Sequence, residues 1–171
     1  LLQWRAVFRA LRIMELSGEI VSGYFFEGIS GLQFMSHEAF RLVQKKPLHE
    51  DTVYWLNAAD PASLCGLSRE LAKGLPLRVA STFLVYHGPR LVMIAKRTGK
   101  SIDLFAPPDK AGLQDYFHVF KDLLMREFNP SSKIIVETVN GEPVQRSPYL
   151  APLKEFGFRS ARNTVELWKQ Y

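Results

Sequence analysis

The sequence holds a single cysteine, Cys65. No disulfide can form within the chain, and a reducing, intracellular setting such as the cytoplasm is expected. It also lacks an apolar run long enough to span a bilayer and a charged-apolar-small leader, so no membrane partner is expected. The four histidines, His37, His49, His87 and His118, show neither His-x-His nor i,i+4 spacing, and no second cysteine stands near Cys65. No metal is expected. Gly-Lys-Ser at Gly99-Lys100-Ser101 ends many phosphate-binding loops, but that loop needs another glycine five positions before Gly99, where Ile94 stands. It also needs a following helix, and Ile102-Asp103-Leu104-Phe105 reads as a strand. The segment reads as a hairpin turn, and no cofactor is expected.

What is present is a mixed composition, 47% apolar over 171 residues, enough for one respectable core or two small ones. Lys and Arg exceed Asp and Glu by 22 to 17, a net charge of +5 that favours an acidic partner such as nucleic acid. The chain opens in the middle of a helical pattern and reads as a segment of a longer protein.

From Trp4 to Leu16, the apolar residues Trp4, Val7, Phe8, Leu11 and Met14 share one helical face, and Arg5, Arg9 and Arg12 share the opposite one. Gly18 ends this helix. Two extended runs, 20–26 and 32–35, flank the turn 27–31, and Ser36 is placed to start a short helix that stops before Pro47. The charged, proline-bearing stretch 47–52 marks a domain junction, giving domains 1–48 and 49–171.

Beyond it, Val53-Tyr54-Trp55-Leu56 reads as a strand. Runs 81–86, 91–95 and 101–105 read as a three-stranded meander, and 110–128 as one long helix with an apolar face of Leu113, Tyr116, Phe117, Phe120, Leu123 and Leu124. Residues 133–139 alternate as one strand, Asn140-Gly141 is a favoured type I′ hairpin dipeptide, and a short helix 149–156 closed by Gly157 precedes a final β segment, 164–168. The fold class expected is α+β: the end of a winged-helix module, then a mainly antiparallel, curved or barrel-like sheet packed with one long and one short helix.

Asp60, Asp103, Glu137 and Glu142 sit near turns or strand ends, where carboxylates could do acid–base work, but Asp60 before Pro61 suits a turn whose side chain caps backbone amides. A cationic helix beside a two-stranded wing is the arrangement with which winged-helix modules approach a groove and touch phosphates. Three exposed arginines also suit a merely solvated face. Gln33 has the chemistry to read a base edge or to bond a backbone amide. Tyr24, Phe25 and Phe26 lie together in the ribbon; alternation puts Tyr24 and Phe26 on one face and Phe25 on the other, with two of the three expected to be structural.

The order of segments carries a resemblance. A helix ending in Leu-Arg-x-x-Glu-Leu-x-Gly-Glu-Ile is followed by Gly23-x-Phe25-x-x-Gly28, Gly31-x-Gln33-Phe34 and Glu38-Ala39. Later come Ala58-Ala59-Asp60-Pro61, Arg97-Thr98-Gly99-Lys100, Val139-Asn140-Gly141-Glu142-Pro143, Ser147-Pro148 and Gly157-Phe158. Together these resemble the C-terminal part of the large helicase-related (Lhr) family.

The resemblance implies a parent that is a superfamily 2 ATP-dependent DNA helicase acting in DNA repair, with ATP and Mg2+ in motor domains outside this segment. It implies an accessory region that holds or guides DNA, single-stranded or branched more than plain duplex, beside those motor domains. Arg5, Arg9 and Arg12 would lead the contact, with Gln33, Lys45, Lys46, Lys96, Arg97 and Lys100 as further candidates. Where the family commonly carries a basic residue in the wing, this chain has Ser22-Gly23-Tyr24-Phe25, which shifts phosphate contact toward the helix. Long members of the family are similar at their extreme C-terminal part to a bacterial DNA glycosylase family. Part of a base-excision module is therefore an alternative, as is a protein-interaction domain docking on the motor; no catalytic residue is assigned.

Overall fold

The computed structural model describes residues 3–26, 29–45, 51–67 and 74–169, which fall into two compact units, the first within 3–45 and the second formed by 51–67 with 74–169. Lys46, His49, most of the junction stretch and the Glu27-Gly28 part of the wing turn lie outside the described residues.

The first unit runs helix α1 (Trp4–Leu16), strands β1 (Ile20–Gly23) and β2 (Gln33–Ser36), and helix α2 (His37–Gln44). α1 stops where a side chain becomes a hindrance. Gly18 adopts φ +78°, its N–H donates to Glu15 at 3.0 Å, and the Glu19 N–H donates to Met14 at 2.8 Å. These are the two bonds of a Schellman cap, which needs a left-handed residue at this position. β1 and β2 pair antiparallel from Ile20 with Ser36 to Gly23 with Gln33. Ser36 closes the ribbon and opens α2, its hydroxyl accepting from the Ala39 N–H at 3.1 Å as an N-cap. His37 Nε2 lies 2.9 Å from the Gly18 carbonyl and so ties the start of α2 to the end of α1.

Strand β1 is shorter than the expected run to Phe26. The reason is Gln33, whose Oε1 accepts from the Phe25 and Phe26 N–H groups, each at 2.8 Å, in place of a ladder partner.

The second unit contains a six-stranded sheet of order β3-β4-β5-β6-β8-β9 and a three-stranded sheet of order β10-β11-β7. Strands β3 (Val53–Asn57), β4 (Phe83–His87), β5 (Arg90–Lys96) and β6 (Ser101–Leu104) form an antiparallel meander. Its central strands are buried on both faces and therefore read as near-continuous apolar runs. Phe83, Val85, Met93 and Ala95 enter the main core, while Leu84 and Ile94 pack with Ala58 and Cys65 on the other side.

The segment expected to be one long helix is instead a 3-10 turn (Leu113–Phe117) that runs into helix α3 (His118–Met125). Gly112 at φ +76° interrupts any earlier helical path, and Arg126, extended at ψ 145°, ends the helix, its Nε donating forward to the Asn129 carbonyl at 2.8 Å. The predicted apolar face is nevertheless the one that is buried.

A second correction falls at Glu137. The run 133–139 is not one strand: β7 (Lys133–Val136) pairs with β11 (Val165–Trp168), and β8 (Thr138–Val139) pairs parallel to β6. The Glu137 N–H donates to the Lys100 carbonyl at 2.8 Å where the chain changes sheets. β8 turns through Asn140-Gly141, both at positive φ (+51° and +82°) as a type I′ turn requires, into β9 (Glu142–Pro143). Helix α4 (Leu150–Phe156) and β10 (Arg159–Ser160) complete the unit. Both sheets are open: no pairing among the described residues joins β3 to β9 into a barrel. The fold is mixed α+β, and among the described residues no helix is long and apolar enough to cross a membrane.

Candidate nucleic-acid interface

Helix α1 gains its orientation from its apolar side. Phe8 meets the Trp4 ring at 6.0 Å and the Phe34 ring of β2 at 5.7 Å, edge-on, which lays the helix along the ribbon. The arginine side is thereby turned away from that packing. Arg5 and Arg9 are exposed and have no carboxylate partner among the described residues. Arg12 differs, because its guanidinium is bonded to Glu15, one turn on, and Glu15 also accepts from the Ser22 hydroxyl on β1. Arg12 therefore helps fix the ribbon to the helix, and its charge is partly spent before any ligand arrives.

The ribbon's polar centre is Gln33. Besides the two bonds its oxygen accepts, its nitrogen donates to Phe26 O at 3.3 Å and to Ile29 O at 3.1 Å. All four hydrogen-bonding positions of the amide are thus used on the wing's own backbone, which leaves none for a base edge. Of the three ribbon aromatics, only Phe25 makes a ring contact among the described residues, with Phe40 at 6.0 Å. Tyr24 and Phe26 are 78% and 62% exposed, so one of the three is structural rather than two.

Lys45, at the C-cap of α2, is exposed. In the second unit Lys96, Arg97 and Lys100 gather at the β5–β6 turn as the sequence order implies, but not as free charges. Lys96 pairs with Asp103 at 2.7 Å, and Glu137 lies 3.5 Å from both Arg97 and Lys100. The turn itself is tight: Arg97, Thr98 and Gly99 all have positive φ, and Gly99 faces the core. Strand β6 follows directly, as the hairpin reading of Thr-Gly-Lys-Ser requires. Asp60 does what its place before Pro61 implies, its Oδ1 accepting from the Ala62 N–H at 2.8 Å.

A second surface with cations unpaired among the described residues has no local signature in the sequence. A cleft of about 520 Å³ in the second unit is lined by His87, Arg90, Phe105, Lys110 and Tyr116, among others. His87 Nδ1 lies 2.9 Å from the buried Tyr116 hydroxyl.

Residues 1–53 match the winged-helix domain of the large helicase-related protein. An Escherichia coli (strain K12) protein, the "Lhr helicase/uracil glycosylase", is 30% identical over 159 residues, which covers 88% of this chain and 10% of that protein. The chain belongs to the large helicase-related family. It spans about a tenth of the curated relative it matches, and the Lhr likeness runs through both structural units. The winged-helix match spans α1, the β1–β2 ribbon and α2, and Arg5 and Arg9 are the cations that α1 leaves without a carboxylate partner among the described residues.

Proposed function

We propose that this segment is an accessory, nucleic-acid-binding region in the C-terminal part of an Lhr-type helicase, holding DNA beside the motor domains of the same protein. The observation that carries the reading is the α1 face: Arg5 and Arg9 stand exposed and unpaired among the described residues of a winged-helix match. Cations in that state release counterions when they meet phosphate, whereas cations already paired to carboxylates return less. Arg5 and Arg9 are therefore the primary contacts. Arg12 and Lys45 are secondary, and Lys96, Arg97 and Lys100 contribute least.

Gln33 is not retained as a base reader; it clamps the wing and thereby presents Tyr24 and Phe26, whose rings suit unpaired bases. Single-stranded or branched DNA of the kind met in repair is accordingly the preferred ligand. In the intact protein, ATP and Mg2+ serve the motor domains, in an intracellular setting. The E. coli relative's name couples helicase to uracil glycosylase, but Asp60, one of the four carboxylates near turns or strand ends, has its side chain engaged in a turn.

Binding titrations of the chain against single-stranded, duplex and branched DNA test the proposal. Charge reversal at Arg5 and Arg9 should weaken all three. Unchanged affinity in a folded variant removes α1 from the interface.

A further inference from the structure

The cleft in the second unit joins three features that nothing in the α1 interface uses. Its first is Phe105, 58% exposed although its backbone is held on every side. The Phe105 N–H donates to Val92 O at 3.0 Å. On one flank the Asn140 amide brackets Leu104, and on the other the Tyr149 hydroxyl donates to Ala106 O at 2.7 Å. An aromatic ring left in water on so fixed a backbone forgoes burial and is pre-organised to meet a flat partner.

The second feature is charge. Arg90, exposed at the β4–β5 turn, has no ion pair among the described residues, and the Lys110 ammonium rests 5.9 Å from the Tyr116 ring centroid without a carboxylate partner among them. Asp51 is the carboxylate among the lining residues, so Arg90 and Lys110 leave one net positive charge. The third is size: about 520 Å³ lies within the roughly 300–1,000 Å³ range of clefts that take small organic groups.

We propose that this cleft is a subsite for single-stranded nucleic acid, in which one base stacks on Phe105 and adjacent phosphates sit on Arg90 and Lys110. It rests on the preceding reading only for the class of ligand, since it uses other residues in the other unit. Stacking on an aromatic ring tolerates any base because every base offers a π face, so the subsite is insensitive to sequence and sensitive to the presence of bases.

The test uses the full chain with a fluorescein-labelled 12-mer of thymidylate and a matched 12-mer of abasic nucleotides, followed by anisotropy. Phe105→Ala should weaken binding of the thymidylate strand about 30-fold, the middle of the range for loss of one stacked base, and leave the abasic strand unchanged. Phe105→Trp should restore the affinity, with indole fluorescence quenched when the thymidylate strand binds. Arg90→Glu with Lys110→Glu should weaken both strands. Because these side chains are surface groups, thermal unfolding of each variant should match the parent.

Loss of binding only on charge reversal at Arg5 and Arg9, with Phe105→Ala silent, overturns the cleft and leaves the α1 reading standing. The converse pattern overturns α1 and leaves the cleft. Failure of the unsubstituted chain to bind either strand overturns the cleft assignment.

Discussion

The Asn140 side chain holds Leu104 from both sides of its peptide: Oδ1 accepts from the Leu104 N–H at 2.7 Å, and Nδ2 donates to the Leu104 carbonyl at 3.1 Å. One residue thus sets a type I′ turn through its own φ of +51° and ends strand β6 through its amide. Replacing it separates the two roles. Asn140→Gly keeps the turn and loses about two net hydrogen bonds, a cost of about 2 kcal/mol. Asn140→Ala adds the strain of a left-handed alanine, about 1–2 kcal/mol more. Urea unfolding of both variants would show this ordering, and equal stabilities would mean that the turn is not strained by a β-carbon.

Gly99 should be the least replaceable residue of the β5–β6 turn. A β-carbon there would lie 2.8 Å from Ile134 Cγ2 and 3.1 Å from Phe120, at a φ of +94°. Gly99→Ala therefore combines overpacking with backbone strain, about 2–4 kcal/mol in sum. A variant as stable as the parent by thermal denaturation would refute the close approach.

Arg12 and Arg9 lie on the same side of one helix yet should behave differently. Arg12→Gln breaks the bond to Glu15 and loosens the ribbon, so it should lower stability by about 0.5–1 kcal/mol, with a small loss of DNA affinity. Arg9→Gln should leave stability unchanged within about 0.5 kcal/mol and cost more affinity. Equal effects on affinity would show that the Glu15 pairing does not hold the Arg12 charge back.

Tyr86 makes stability fall at alkaline pH. Burial, reinforced by Cys65 and Tyr54, holds its phenol above the ordinary value, so the folded chain keeps a proton that the unfolded chain begins to lose near about pH 10. Above that pH the unfolded state binds fewer protons than the native one, and stability declines as pH rises toward the folded value; below it the contribution is complete. Tyr86→Phe should flatten this alkaline limb. A limb of unchanged slope would assign it to other groups.

The features legible in the sequence are those that one residue and its neighbours determine. The Gly18 and Ser36 caps, the Asn140-Gly141 turn, the strand after Thr-Gly-Lys-Ser and the apolar face from Leu113 to Leu124 are each local pattern made visible. What escaped depends on partners far along the chain. Period-two alternation from Lys133 to Val139 is the same whether one sheet or two receives it, so the switch at Glu137 was invisible. The two carboxylates that pair with Lys96, Arg97 and Lys100 reach them from other segments of the chain, and the choice of Gln33 between a base edge and a backbone amide stays open until the wing's own backbone takes it. Arg90, Phe105 and Lys110 share no local pattern, because only the meander and the turn into Leu113–Phe117 bring them to one cleft.

Phosphate contact by α1 is the central claim of the proposed function. Its decisive measurement is the affinity of the chain for a DNA duplex over a series of salt concentrations, with Arg5 and Arg9 intact or both changed to Gln. Each phosphate contact contributes about 0.9 to the slope of log affinity against log salt. The double variant should therefore bind more weakly and with a slope shallower by about 2, while the fold is retained. An unchanged slope, in a variant that unfolds at the parent's temperature, would contradict the assignment of α1 to DNA.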